Sequence, residues 1–197
     1  MHSPAAERNK EHIRKVLTAT LPVSGHLLEV ASGSLQHALH IAPALPNWTW
    51  QPTEASDQAL AHAANLALPS NVRSPWQLDT TRFNWTTIAD GFDAVFVANL
   101  THISPLGVTE ALLRGAGTCL VENGHLLMYG PFNVDGQFTS PGNARFDASL
   151  RDENPEFGIR DVELIEALAY SHGLQAIQRI AMPANNLILH FTSKHSK

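Results

Sequence analysis

Short apolar runs alternate with helix-patterned segments along nearly the whole chain. That alternation constrains the fold more than any single motif does. The runs 26–31 (HLLEVA), 48–51, 72–78, 92–98 (FDAVFVA), 125–129 (HLLMY), 174–180 and 187–192 read as strands. Between them, 5–20, 34–45, 58–68, 108–120, 143–151 and 161–172 read as helices. The breaks carry the expected punctuation: Pro22 and Gly25 after the first helix, Pro46 after the second, Pro69 after the third. Pro75 makes the third run an edge or irregular strand. The polar, glycine-containing stretch 132–142 reads as a loop over a site.

Strands alternating with helices predict an α/β domain: a Rossmann-like, doubly wound, mostly parallel sheet of seven strands with helices on both faces. With 197 residues and 44% hydrophobic composition, one domain with a sizeable core is expected. In such folds ligands sit beyond the carboxyl ends of the strands, where the strand order reverses. The residues at those ends are therefore the first place to look for function.

After the first strand comes Glu29-Val30-Ala31-Ser32-Gly33-Ser34, an acidic residue and then a tight turn of small residues leading into a helix. Gly33 permits close ligand approach, and the helix start offers free N–H groups. An ordinary strand-to-helix turn is the plainer reading. A dinucleotide loop wants G-x-G-x-x-G, and Leu35 occupies the second glycine position here. S-adenosylmethionine (AdoMet) has no phosphate and tolerates a looser loop. No GxxxxGK[ST] motif is present, which excludes a P-loop.

Glu54 follows the second strand, roughly 20 residues beyond Gly33, at the spacing where a carboxylate meets ribose hydroxyls. Its alternative is a solvated surface glutamate. Asp79 ends the third strand and either faces an adenine amino group or makes a turn with Thr80-Thr81. Asn99 and His102 crowd the end of the fourth strand. Asn99 suits the methionine part of a ligand, and His102 a general base working near neutral pH. Ser104 is expected to cap the next helix, with Pro105 in its first turn. Tyr129 closes the fifth strand beside an acceptor pocket, and Phe132, Phe138 and Phe146 are expected near it.

Composition removes several classes. The net charge of -5 argues against a broad nucleic-acid footprint. No apolar run approaches the ~20 residues of a membrane span. Eleven histidines are scattered without HExxH spacing, and one cysteine, Cys119, allows neither a CxxC zinc site nor an internal disulfide. A reducing, cytoplasmic setting is the default expectation.

Together the motifs resemble the methyltransferase-like protein 26 family, also called the domain of unknown function 938 family. The resemblance rests on Ala6-Glu7-Arg8-Asn9-Lys10, Leu28-Glu29-Val30-Ala31-Ser32-Gly33-Ser34 with Gln36-His37, Trp50-Gln51-Pro52, Asn99 with His102-Ile103-Ser104-Pro105, Tyr129-Gly130-Pro131, Asn154-Pro155-Glu156 with Gly158, Arg160-Asp161 and Met182-Pro183-Ala184-Asn185-Asn186. It implies a class I methyltransferase fold over 1–197, a seven-stranded sheet whose last strand is antiparallel, and AdoMet binding. It names no acceptor. That family's glycine loop usually reads SGSGQH, so Leu35 is a departure.

The resemblance also recasts 1–22 as a helical segment closing over the cofactor, with Arg8 toward the methionine carboxylate and Asn9 beside it. The expected cofactor residues are thus Arg8, Asn9, Glu29, Ala31, Gly33, Ser34, Glu54, Asp79 and Asn99; the expected catalytic residues are His102 and Tyr129. The leading expectation is an AdoMet-dependent methyltransferase with a small-molecule acceptor. A catalytically silent AdoMet-binding or interaction module of the same fold is the first alternative, and an NAD-dependent oxidoreductase the second. Asp161 and Asn185 are read only as a helix cap and a turn residue.

Overall fold

A computed structural model describes residues 2–88 and 91–194. The strands are β1 Gly25–Val30, β2 Trp48–Glu54, β3 Trp76–Gln77, β4 Phe92–Ala98, β5 Leu120–Asn133, β6 Arg160–Asp161, β7 Leu174–Met182 and β8 Asn186–Ser193. The helices are α1 Pro4–Thr20, α2 Gln36–Ile41, α3 Asp57–Ala63, α4 Leu106–Cys119, α5 Pro141–Glu153 and α6 Val162–Ser171. The sheet order is β3-β2-β1-β4-β5-β8-β7, with β6 paired to the end of β5. Strands β1 to β5 pair in parallel, and β8 runs antiparallel to both β5 and β7.

Alternation along the strands explains the two-sided packing. Leu28, Val30, Val95, Val97, Leu126 and Met128 face a core closed by Leu112 and Leu113 of α4 and by Val162 and Ile165 of α6. Leu27, Ala94, Phe96 and Leu127 face the opposite core, closed by Ile13 and Leu17 of α1 and by Ala38 and Ile41 of α2. A strand buried on both faces has few polar positions to spare, which is why β4 is apolar from Ala94 to Ala98, with Asp93 at its half-buried start. Each fully buried Leu, Val or Phe there contributes about 1.5–3 kcal/mol of transfer free energy.

Several boundaries differ from the sequence expectation. The third strand shrinks to Trp76–Gln77, and Val72 keeps only an isolated bridge to Trp50. Pro75 between them has no N–H to give the ladder. The expected 34–45 helix begins at Gln36 and hands over to a 3-10 turn at Ala42–Ala44, around Pro43. The expected loop starting at residue 132 begins as strand, because Phe132 and Asn133 pair with Arg160 and Asp161 of β6. That pairing gives eight strands where seven were expected. Among the described residues, no helix is long and apolar enough to cross a membrane.

The chain runs outward through β1, β2 and β3, then returns to place β4 on the other side of β1. The loops after β1 and β4 therefore leave in opposite directions, and a crevice opens between them.

Candidate functional site

The turn after β1 is shaped by its backbone. Ala31, Gly33 and Leu35 all hold φ between 54° and 60°, in the left-handed region. Ser32 N donates to Thr53 O, and Leu35 N donates to Ser32 O, which folds the turn back over the end of β2. No atom lies within 4 Å of where a Cβ on Gly33 would stand, so the glycine borders open space. Leu35 sits at φ 60°, ψ 11° where α2 begins, with its side chain buried. That backbone favours a residue without Cβ, so Leu35 is held there against its own preference.

Glu54, at the end of β2, meets this turn directly. One carboxylate oxygen accepts from Gly33 N at 2.8 Å, and the other accepts from Ala55 N and Ser56 N. Asp79 follows β3 and accepts from Thr81 N and Oγ1, which holds its carboxyl below the usual range. The structure thus builds the turn reading of Asp79, while leaving its side chain well exposed at the same edge of the sheet.

On the other side of the switch point lies a cavity of about 630 Å³. Arg8, Asn9 and His12 of α1 line it, together with Asn99, His102 and Ile103 after β4, Tyr129 of β5, Asn143 and Phe146 of α5, and the 183–186 turn. No carboxylate lines it, and Arg8 makes no ion pair among the described residues. Asn99 takes φ 58°, a conformation asparagine tolerates, and its N–H donates to Tyr129 O at 2.8 Å. Tyr129 is bonded by Asn9, and burial raises its phenol above the ordinary value.

His102 is 4% exposed, stacks edge-on to Phe146, and has no hydrogen-bond partner for Nδ1 among the described residues. Burial, helped by the positive charge of Arg160, pushes its imidazole down to about 4. That corrects the expectation of titration near neutrality: with water stripped from it, the ring stays unprotonated well into the acid range. Ser104 does not cap α4, as Pro105 holds that position and the serine hydroxyl donates to Leu100 O. Asp161 is at the N-cap of α6, but its side chain makes no capping bond.

A buried polar network joins the two sides. Trp50 Nε1 donates to Glu29 Oε2 at 2.8 Å; His37 Nδ1 lies 3.7 Å from Glu29 Oε1; and His37 Nε2 meets Asn9 Oδ1 at 2.8 Å. Burial pushes the Glu29 carboxyl up to about 8 against the bonds from Trp50 and Ser32, and pushes His37 down to about 4. Both side chains are therefore neutral at pH 7. Gln36 Oε1 also accepts from Ser3 N and from Ser34 Oγ, tying the start of α1 to the glycine turn.

Of the residues expected from sequence, Arg8, Asn9, Asn99, His102 and Tyr129 come together in the cavity. Ala31, Gly33, Ser34 and Glu54 gather at the neighbouring turn, and Asp79 lies past the short third strand. Glu29 lies apart from both, beneath the turn and 1% exposed. The phenylalanine expectation is partly corrected. Phe146 lines the cavity, Phe132 is wholly buried in the core, and Phe138 is exposed away from the lining. His12, Asn143 and Asn186 were missed. His12 carries the one available signal, since it follows Arg8 by one helical turn on α1.

The family model described as "Protein of unknown function (DUF938)" matches residues 1–193. Among solved structures, human N-acetylserotonin methyltransferase in complex with SAM is similar over 97% of this chain and 53% of that one, at 14% identity and TM-score 0.81. An O-methyltransferase family protein from Burkholderia thailandensis is similar over 98% and 58%, at 15% identity and TM-score 0.78. CalO1, a methyltransferase in calicheamicin biosynthesis solved with SAH bound, is similar over 96% and 55%, at 12% identity and TM-score 0.76. The chain spans little more than half the length of each of these proteins. The likeness establishes the Rossmann-like methyltransferase fold.

Proposed function

The chain belongs to the DUF938 family, and on that premise we propose that it is an AdoMet-dependent methyltransferase acting on a small-molecule acceptor. The observation that carries this reading is the pairing of Glu54 with Gly33 at the switch point, beside a cavity lined without carboxylates. Glu54 would accept from ribose hydroxyls on releasing the turn, and Asp79 would serve the adenine side. Arg8 and Asn9 would hold the methionine end, with Asn99 and the open edge of Gly33 beneath it. Glu29 would act at one remove, keeping the turn in place through Trp50, which donates to its carboxyl, and Ser32, whose Oγ donates to its main-chain O. Helix α1, bonded to Ser34 through Gln36, would close over the cofactor.

AdoMet, when bound, supplies a methyl group already activated on a sulfonium, so the protein's task is chiefly orientation. His102 is the side chain available to take a proton from an oxygen or nitrogen acceptor, because its ring is neutral at pH 7. Tyr129, with its phenol kept protonated and bonded by Asn9, is a second polar contact. Phe146 and Ile103 give the acceptor an apolar wall.

The test is calorimetric titration of the purified chain with AdoMet and with SAH. Micromolar binding, weakened about tenfold or more in Glu54→Gln protein with an unchanged melting temperature, supports the reading. Folded protein that binds neither ligand overturns it. A second reading, a catalytically silent module of the same fold, is favoured by Leu35 in the left-handed position of the turn. Binding of SAH without methyl transfer to any acceptor in a small-molecule extract would support that reading.

A further inference from the structure

The stretch running from the end of α5 into β6 makes a set of bonds to the His102 loop that nothing in the cofactor reading requires. Arg160 Nε donates to Thr101 O at 3.2 Å. Its Nη2 donates to Ser104 O and to Glu156 O, each at 2.7 Å. Gly158 N donates to His102 O at 3.0 Å. Three of the four carbonyls from Thr101 to Ser104 are thus held by one short stretch of chain.

That stretch is itself braced. Ile159 N donates to Asp147 Oδ1, and Asp147 also takes Arg151 in an ion pair at 2.7 Å. Arg160 and Asp161 pair in register with Phe132 and Asn133 at the end of β5. Gly158 holds φ 140°, a backbone that residues with a Cβ rarely adopt, so the brace favours glycine at this point.

Arg160 makes no ion pair among the described residues; all of its bonds go to neutral carbonyls. A part-buried guanidinium whose direct bonds all go to carbonyls is a poor device for stability alone, because burial outweighs the more distant attraction of Asp147, whose carboxylate is already paired with Arg151. Its planar fork is, however, suited to fixing several carbonyls at once, which the single ammonium of lysine cannot reproduce. Helix α5, on which the brace rests, also supplies Asn143 and Phe146 to the cavity.

We propose that Arg160 is a positioning residue for His102, fixing the base against the acceptor wall by clamping the 101–104 main chain. The proposal rests on the role given to His102 above. It makes Arg160 a determinant of ring orientation and of proton affinity, without contact with the cofactor. The other titratable groups around the same cavity are Arg8, His12 and Tyr129, all from α1 and β5.

The test uses the full chain labelled with 15N-histidine, with the His102 resonances assigned by loss in His102→Gln protein. In the wild type, His102 is expected to remain a single neutral tautomer down to about pH 5. In Arg160→Gln it should titrate at higher pH, gaining about tenfold in proton affinity, with its tautomer signal broadened or split. Arg160→Lys keeps the charge and loses the fork, so the tautomer signal should change while the titration moves less. SAH affinity by calorimetry should stay within about twofold in both variants. A lowered melting temperature with an unaltered His102 titration and tautomer overturns the proposal, leaving Arg160 a structural brace only. If Arg160→Gln fails to fold, an unaltered tautomer in Arg160→Lys is equally decisive. The histidine spectra need no ligand, so failure of the wild type to bind SAH would count against the methyltransferase reading alone.

Discussion

Leu35 is the place where the two energetic demands on the glycine turn can be separated. Its backbone is left-handed and its side chain is buried. A non-glycine residue in that region costs ~1 kcal/mol or somewhat more, whereas truncating a buried leucine to alanine costs about 2–5 kcal/mol. Leu35→Ala loses the burial and keeps the backbone cost. Leu35→Gly loses the same burial but removes that cost. Because residue 35 is at the N-cap of α2 rather than in its interior, glycine there carries little helix penalty. The glycine variant should therefore be less stable than wild type and more stable than the alanine variant by about 1 kcal/mol. For a domain of this size that gap is ~2–4 °C in Tm. Urea unfolding of the three proteins under one set of conditions measures it. If alanine matches or exceeds glycine, the claim that the turn is held in the left-handed region against its residue's preference is wrong. Calorimetry on the same proteins adds a functional comparison, since tighter SAH binding by Leu35→Gly would show that the leucine also limits the cofactor site.

The pH dependence of stability follows from the buried neutral groups. His37 and His102 are both pushed down to about 4, below an unfolded value of 6.5, so their contribution is complete above pH 6.5 and lost as pH falls through 4. Each accounts for at most about 3 kcal/mol, and the opposite change at Glu29 offsets about one of them, so thermal melts should fall moderately between pH 6.5 and 4 in the wild type and more steeply in Glu29→Gln; a flat profile in that variant would contradict the neutral assignment. Glu29 behaves oppositely: raised to about 8 from 4.5, its contribution is complete below pH 4.5 and lost as pH rises through 8. Glu29→Gln keeps an acceptor for Trp50 and should flatten the decline between pH 6.5 and 8, which the same melts would show. Finally, Gly115 of α4 lies against Trp85, with a Cβ position only 2.1 Å from its Cε2. Gly115→Ala should cost about 1–3 kcal/mol, and a stabilising effect of the kind alanine normally has in a helix would refute that packing.

The apolar runs made the central sheet legible in the sequence. A strand such as β4, covered on both faces, is apolar from Ala94 to Ala98, with its one polar residue, Asp93, at the half-buried start. The strand ends were legible because polar residues cluster there, although Glu29, Gln51 and Thr53 are buried within β1 and β2. What the sequence concealed was set by tertiary contact. Two-residue β6 exists only because Phe132 and Asn133 continue β5 beside it, and no period is visible in so short a strand. The shrinkage of the third strand around Pro75 was signalled, but its extent was not. The depressed proton affinity of His102 depends on desolvation and on Arg160, far away in the chain, so it was invisible locally. Asn143 and Asn186 enter the cavity through the packing of α5 and the 183–186 turn, and neither carries a spacing that marks it in advance.

The antiparallel strand β8 has a consequence for how the molecule is made. β7 is synthesised before β8, yet it reaches the sheet only through β8, which lies between it and β5. During translation, β1 to β5 can assemble in order while β7 waits without a partner, its long edge open to wrong pairing until β8 has emerged. The exposed faces along β7, with Gln175, Gln178 and Arg179 among its residues, make that wait more tolerable than an apolar strand would. Interruption of synthesis just before β8 would therefore leave a product without either of its last two sheet positions, rather than one that lacks a single edge.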